Sequence, residues 1–225
     1  METYDYNALI FGIFSCFGLS LLYPIVHGYL NDNYDNFRII PYDKQQYVIK
    51  NLIKSGFLFS LCILSLPFII IPVYTRGYWD SYWCHRFGVL YTANDTTGLM
   101  LVNNLPSSTI IHHKITTTLC LISLSIDFND SSLGQMLFVY TIASAHAYLV
   151  NFYLGSRYLY KKKELVYLKR YARNIYICSC ICNWGWHIHW IVSNYNFIQF
   201  EHAVYFILLY SIIKDDLILM KWLQT

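Results

Sequence analysis

Residues 6–31, 55–75, 131–156 and 174–200 form four runs without an Asp, Glu, Lys or Arg side chain. Each passes the roughly 20 residues that an α-helix needs to cross about 30 Å of hydrocarbon at 1.5 Å per residue. Runs of this kind predict spanning helices. Two more candidates are interrupted by ionisable groups: 87–105 contains Asp95, and 107–126 contains His112, His113 and Lys114. A last one, 203–223, starts apolar and then meets Lys214, Asp215 and Asp216. The reading is an all-α polytopic membrane protein with seven transmembrane helices, or six if the last does not span. Composition agrees, because only 13% of residues are charged and 56% are apolar, whereas a soluble domain covers itself with about 25% charged residues. Abundant aromatics, a formal charge of only +3 and an odd seven cysteines speak against disorder, a nucleic-acid partner and a secreted disulfide scaffold.

Loop charges give the orientation, since cytoplasmic loops collect Lys and Arg. With the N-terminus outside (lumenal) and the C-terminus cytosolic, the cytosolic segments hold Arg38, Lys44, Lys50 and Lys54, then Lys114, then seven residues from Arg157 to Arg173, then Lys214 and Lys221. That is fourteen of the sixteen basic residues, with Arg76 and Arg86 on the other side. The first apolar run follows an acidic segment with no basic flank, which fits a retained anchor rather than a cleaved signal peptide. A polar connection, Asn31 to Lys50, separates that helix from the rest. We divide the chain into an N-terminal anchor helix with the start of a cytosolic loop, 1–40, and a second unit, 41–225.

Ionisable residues within the membrane mark functional positions, because they are costly there and face a bundle interior. Phe87, Tyr91 and Asp95 recur every four residues and share one helix face. His112 and His113 sit near the cytosolic end of the next helix, with Thr116 one turn on. Ser179, Asn183 and His187 form a polar stripe on the sixth helix. The expectation is that Asp95 and the His112/His113 pair border one cavity that opens towards the cytosolic half. The eight histidines lack the spacing of a membrane di-iron site, and neither a phosphate loop nor a nucleophile elbow is present, so no metal and no cofactor are expected. Cys178, Cys180 and Cys182 alternate around a helix and read as packing residues.

The pattern Tyr91-x-x-x-Asp95, a tight turn with Pro106, then Ile111-His112-His113-x-x-Thr116 resembles the TLC-domain family, from about residue 45 to the end. It is most similar to the small TLC-domain proteins rather than the ceramide synthases, whose longer signature of Asn, His-Asp and further acidic residues is missing after His113. The resemblance implies a six-helix bundle behind the anchor helix, an endoplasmic reticulum-type endomembrane and a role in lipid homeostasis, with membrane lipids as partners. Two functions follow. In one, the cavity binds or senses a lipid without chemistry, with Tyr91, Thr116, Asn183 and His187 as contacts. In the other, the protein is an acyltransferase with acyl-CoA as co-substrate: a histidine of the pair is the general base, Asp95 orients it, and Lys161, Lys162, Lys163, Arg170 and Arg173 meet phosphates. The same basic loop suits an anionic leaflet. A homo-oligomer or a cargo protein is left open.

Overall fold

The structure is a computed structural model, and it describes residues 3–224. All regular structure among them is helical. Helix α1 spans Tyr6–Asn33 and a short α2 Asp35–Ile39; α3, Tyr42–Ser65, continues through a widened π turn, Leu66–Ile70, into α4, Ile71–Arg76. Then come α5 (Ser81–Leu101), α6 (Ser107–Ser123), α7 (Ser132–Ala145), α8 (Tyr148–Ser156), α9 (Val166–Ser193) and α10 (Phe200–Gln224). Three helical stretches, Tyr6–Asn33, Tyr42–Arg76 and Ser132–Ser156, are long and apolar enough to cross a membrane.

Local chemistry explains the boundaries. Asp5 caps α1 by accepting the Ala8 amide proton at 2.9 Å, and Asp80 caps α5 through Tyr82 N–H at 3.0 Å, each satisfying a backbone donor that the first turn leaves free. The π turn lies where Pro67 and Pro72 remove amide donors from the continuing rod, since proline cannot complete the i to i−4 ladder. Gly77 ends α4 at φ 65°, the left-handed conformation that glycine adopts without a Cβ penalty. The expected continuous helix over 131–156 is divided instead: the amides of His146 and Ala147 bond three residues back, to Ala143 and Ser144, and this tight turn separates α7 from α8.

Polar contacts gather at two opposite ends of the helices. At one end, Asp5 meets His85 at 3.1 Å and Arg86 at 3.4 Å, Ser81 donates to Asp127, and Ser132 pairs with His202. Burial works against the Asp5 carboxylate, but the Ala8 amide, His85 and Arg86 outweigh it and hold the group below the ordinary carboxylate range. At the other end, Tyr34 meets Tyr160, Asn36 donates to the Leu159 carbonyl, and Asn104 donates to Asp43. Successive rods therefore run antiparallel between the same two ends.

Packing closes six of the rods into a ring: α3 lies against α8 and α5, α8 and α7 against α9, α9 against α10, α10 against α6, and α6 against α5. Helix α1 stands outside the ring on α5 and α3. Gly12 allows that approach, because a Cβ there would sit 3.1 Å from Val89 Cβ. Gly155 does the same for α8 on α3, where a Cβ would lie 2.8 Å from Leu52. The outward faces remain apolar, with Ile13, Phe14, Phe17 and Ile25 on α1 and Ile181, Ile188 and Val192 on α9 all exposed. An apolar exterior of this extent suits contact with hydrocarbon rather than water.

One boundary corrects the sequence reading. Residues 44–54 were expected to be cytosolic loop, since the charge-free run starts only at 55. They are instead the first turns of α3, and Lys50 and Lys54 are 5% and 8% exposed. Both ammonium groups point into the ring, where a carboxylate and a cavity receive them, so their charge does not exclude this segment from the helix.

Candidate functional site

Helices α3, α5, α6, α8, α9 and α10 surround a cavity of about 350 Å³. Tyr47, Lys50, Asn51, Lys54 and Leu58 reach it from one face of α3, as spacings of three and four require. Facing them are Tyr91 of α5, His112 and His113 of α6, Asn151 of α8, Asn183 of α9, and Asp215 and Asp216 of α10. The exposed members of the lining, Pro106, Ile218 and Trp222, lie towards the end that also carries Arg157, and the cavity opens there.

Asp95 is fully buried and is the electrostatic centre of the wall. One of its carboxylate oxygens forms an ion pair with Lys54. The other lies 2.9 Å from His113 Nδ1, but off the line of a hydrogen bond, so that neither ring nitrogen of His113 has an aligned partner among the described residues. His112 is held differently. Its Nε2 is 3.2 Å from the Tyr140 hydroxyl and its Nδ1 is 3.3 Å from Asp215. Asp216 accepts a hydrogen bond from the Tyr176 hydroxyl at 2.8 Å. Each carboxylate in the wall thus has a positively polarised neighbour, the arrangement that buried charges require.

The residues singled out in the sequence divide into two groups. Tyr91, His112, His113 and Asn183 line the cavity, and Asp95 stands directly behind them through Lys54 and His113. Thr116 and His187 do not line it. The Thr116 hydroxyl donates to the His113 carbonyl, and the side chain borders a second void of about 30 Å³. His187 bonds to the Asn183 carbonyl and, at 2.8 Å, to the Tyr205 hydroxyl; the polar stripe on α9 turns away from the cavity after Asn183. His146 and His189 are outside it as well, the first bonded to the Ile142 carbonyl and the second exposed. The segment expected as a basic loop is helical in its second half: Lys161, Lys162 and Lys163 precede α9 and are exposed, whereas Arg170, exposed, and Arg173, half-buried beside Asn174, belong to the first turns of α9.

Sequence reasoning missed Lys50, Lys54, Tyr140 and Tyr176, and it treated Asp215 and Asp216 as a break in an apolar run. A signal existed for the lysines: spaced by four, with Asn51 and Leu58 on the same side, they mark a single inward face. A buried Asp95 also demands a cation nearby. Among the described residues, no group of three or more His, Cys, Asp or Glu side chains could hold a metal ion. Comparisons with family models, curated proteins and solved structures give no match. The chemistry of the wall therefore carries the functional reading.

Proposed function

We propose that this chain is a seven-pass membrane protein of the TLC type that binds or senses a membrane lipid in the cavity between its helices and acts in lipid homeostasis, in an endoplasmic reticulum-type membrane. The observation that carries this reading is the cavity, walled by ionisable groups and enclosed by rods with apolar exteriors. At roughly 30 Å³ per water-sized group, 350 Å³ takes about a dozen non-hydrogen atoms: a headgroup and its first carbons, with a tail leaving by the mouth. The volume also falls at the lower end of the usual range for ligand pockets, about 300–1,000 Å³. With Lys50 and Lys54 assigned to the cavity, twelve of the fourteen remaining basic residues still belong to the cytosolic set, so the positive-inside rule puts the mouth on the cytosolic side.

Orientation is tested with terminal tags. A glycosylation acceptor placed before residue 1 is expected to be modified, and one after residue 225 to stay unmodified; modification of both, or of neither, would remove the seven-span arrangement. Occupancy is tested by filling the space. Ala147 lines the cavity, and Ala147→Trp is expected to strip co-purifying lipid from the detergent-solubilised protein in native mass spectrometry, where wild type and Ala147→Ser each retain about one lipid per chain. Equal lipid content in all three proteins would refute binding at this site.

A second reading, acyl transfer from acyl-CoA to a lipid amine or hydroxyl, is favoured by one contact. Asp95 lies 2.9 Å from His113 Nδ1, and Nε2 on the other side of the ring has no partner among the described residues, so a proton on Nδ1 beside the carboxylate would leave Nε2 as the basic nitrogen. In this reaction His113 takes the acceptor's proton as nitrogen or oxygen attacks the thioester carbonyl, the carbon–sulfur bond breaks, and the thiolate leaves and recovers a proton. Lys161, Lys162 and Lys163 lie just before α9 and Arg170 and Arg173 in its first turns, and at that end of the bundle they could receive the co-substrate's phosphates.

A further inference from the structure

Two cations at the cavity have no carboxylate within ion-pair distance among the described residues, because its carboxylates are engaged elsewhere. Lys54 is consumed by Asp95, Asp215 lies against His112, and Asp216 accepts from Tyr176. Lys50 has no such partner. It is 5% exposed, its stem lies in the space that a Cβ on Gly98 would occupy, at 2.9 Å from Lys50 Cε, and among the described residues no carboxylate comes within ion-pair distance of its ammonium. Nearer the mouth, Arg157 is also without a carboxylate. Its guanidinium is flanked by Trp222 at 4.8 Å, Tyr158 at 4.9 Å and Tyr47 at 5.6 Å, and its buried Nε has no hydrogen-bond partner. Tyr47 precedes Lys50 by one turn on the same face of α3, so the two cations flank one stretch of the wall.

We propose that Lys50 and Arg157 form an oxyanion site and that the cavity's ligand is an anionic amphiphile, whose carboxylate or phosphate meets these two cations while its hydrocarbon leaves between α6 and α10. This deepens the lipid-binding reading and rests on it. A buried ammonium without a counter-charge is costly, and the Lys50 stem packs closely against Gly98, with the ammonium facing the cavity. A ligand oxyanion supplies the missing partner for Lys50 and for Arg157 Nε, while Arg157 Nη2 donates to the Tyr158 hydroxyl at 3.2 Å and the aromatic rings pack around the guanidinium. Neither cation is needed to satisfy Asp95, so the site can select for charge without disturbing the ion pair beneath it.

The test uses the full-length protein in neutral detergent with three probes of one chain length: oleate, oleoyl lysophosphatidate and uncharged monoolein. At least one of the two anions is expected to bind tenfold or more tightly than monoolein, and which one does so distinguishes a carboxylate from a phosphate site. Lys50→Met keeps the length of the side chain and should bring the anion down to the monoolein level, while Lys50→Arg retains the preference; a thermal melt shows that each variant is folded. Anion preference unchanged in folded Lys50→Met would overturn the oxyanion site and leave the lipid-binding reading standing. Equal binding of all three probes by wild type would do the same. Inorganic phosphate that displaces the anionic probe at equal concentration would show a free-anion site and overturn the amphiphile. Absence of binding by every probe would remove the lipid-binding reading itself, and this inference with it.

Discussion

Replacing Asp95 by Asn is expected to destabilise the folded protein by about 3–5 kcal/mol, the usual cost of removing one partner from a buried ion pair. The side chain of Asp95 is fully buried and that of Lys54 is only 10% exposed, so solvent does little to relieve the charge that is left behind. Lys54→Met is expected to cost a similar amount, because it strands the carboxylate instead. The informative protein is the double variant, Asp95→Asn with Lys54→Met. If the pair is coupled as the geometry shows, the double variant loses far less than the sum of the two single losses, since removing both charges removes the desolvation problem. Reversible unfolding in mixed detergent micelles measures all four proteins. Additive losses would mean that the two charges are held by separate partners, and Asp95 would then no longer be the centre of the wall.

The same pair shows where reading a sequence for charge-free runs succeeds and where it stops. Such runs locate a helix long and apolar enough to span a membrane when its polar residues are few, as in α1, whose 28 residues carry a single charged side chain, Asp32, in the last turn. They misplace a boundary when a helix carries its charges inward, as α3 does with Lys50 and Lys54. That Asp95 faces the interior follows from the cost of leaving a carboxylate unpaired on an apolar face. Which cation meets it depends on how α3 is rotated and raised relative to α5, and one sequence does not contain that register.

A similar limit separates His112 and His113 from Thr116 and His187. The paired histidines and Asn183 reach the cavity. Thr116, one turn beyond His113, spends its hydroxyl on the backbone of its own helix, as threonine within a helix often does. His187 lies one turn beyond Asn183 and is taken up by Tyr205 of α10, a partner 18 residues away whose approach is set by the turn between α9 and α10. Helical spacing places residues on a face; how far along that face the cavity extends is decided by neighbouring helices.

The two histidines should therefore separate binding from chemistry. His113 rests against Asp95 and has an unengaged Nε2, whereas the Nε2 of His112 is hydrogen-bonded to Tyr140 and its Nδ1 lies near Asp215. If the protein transfers acyl groups, His113→Ala is expected to lower turnover of a supplied acyl-CoA and lipid acceptor by at least a hundredfold, the lower end of what a positioned general base contributes. The amount of lipid retained should change little, since a base acts on the transition state more than on the bound ligand. His112→Ala is expected to act the other way, loosening Tyr140 and Asp215 and lowering lipid retention along with any turnover. His113→Gln, which keeps a polar group but no basic nitrogen, discriminates between the two functions. Lipid retention equal to wild type with turnover abolished assigns the cavity to acyl transfer. Retention equal to wild type where wild type itself shows no turnover, combined with altered lipid composition in cells expressing the variant, assigns it to lipid binding and leaves His113 a contact rather than a base.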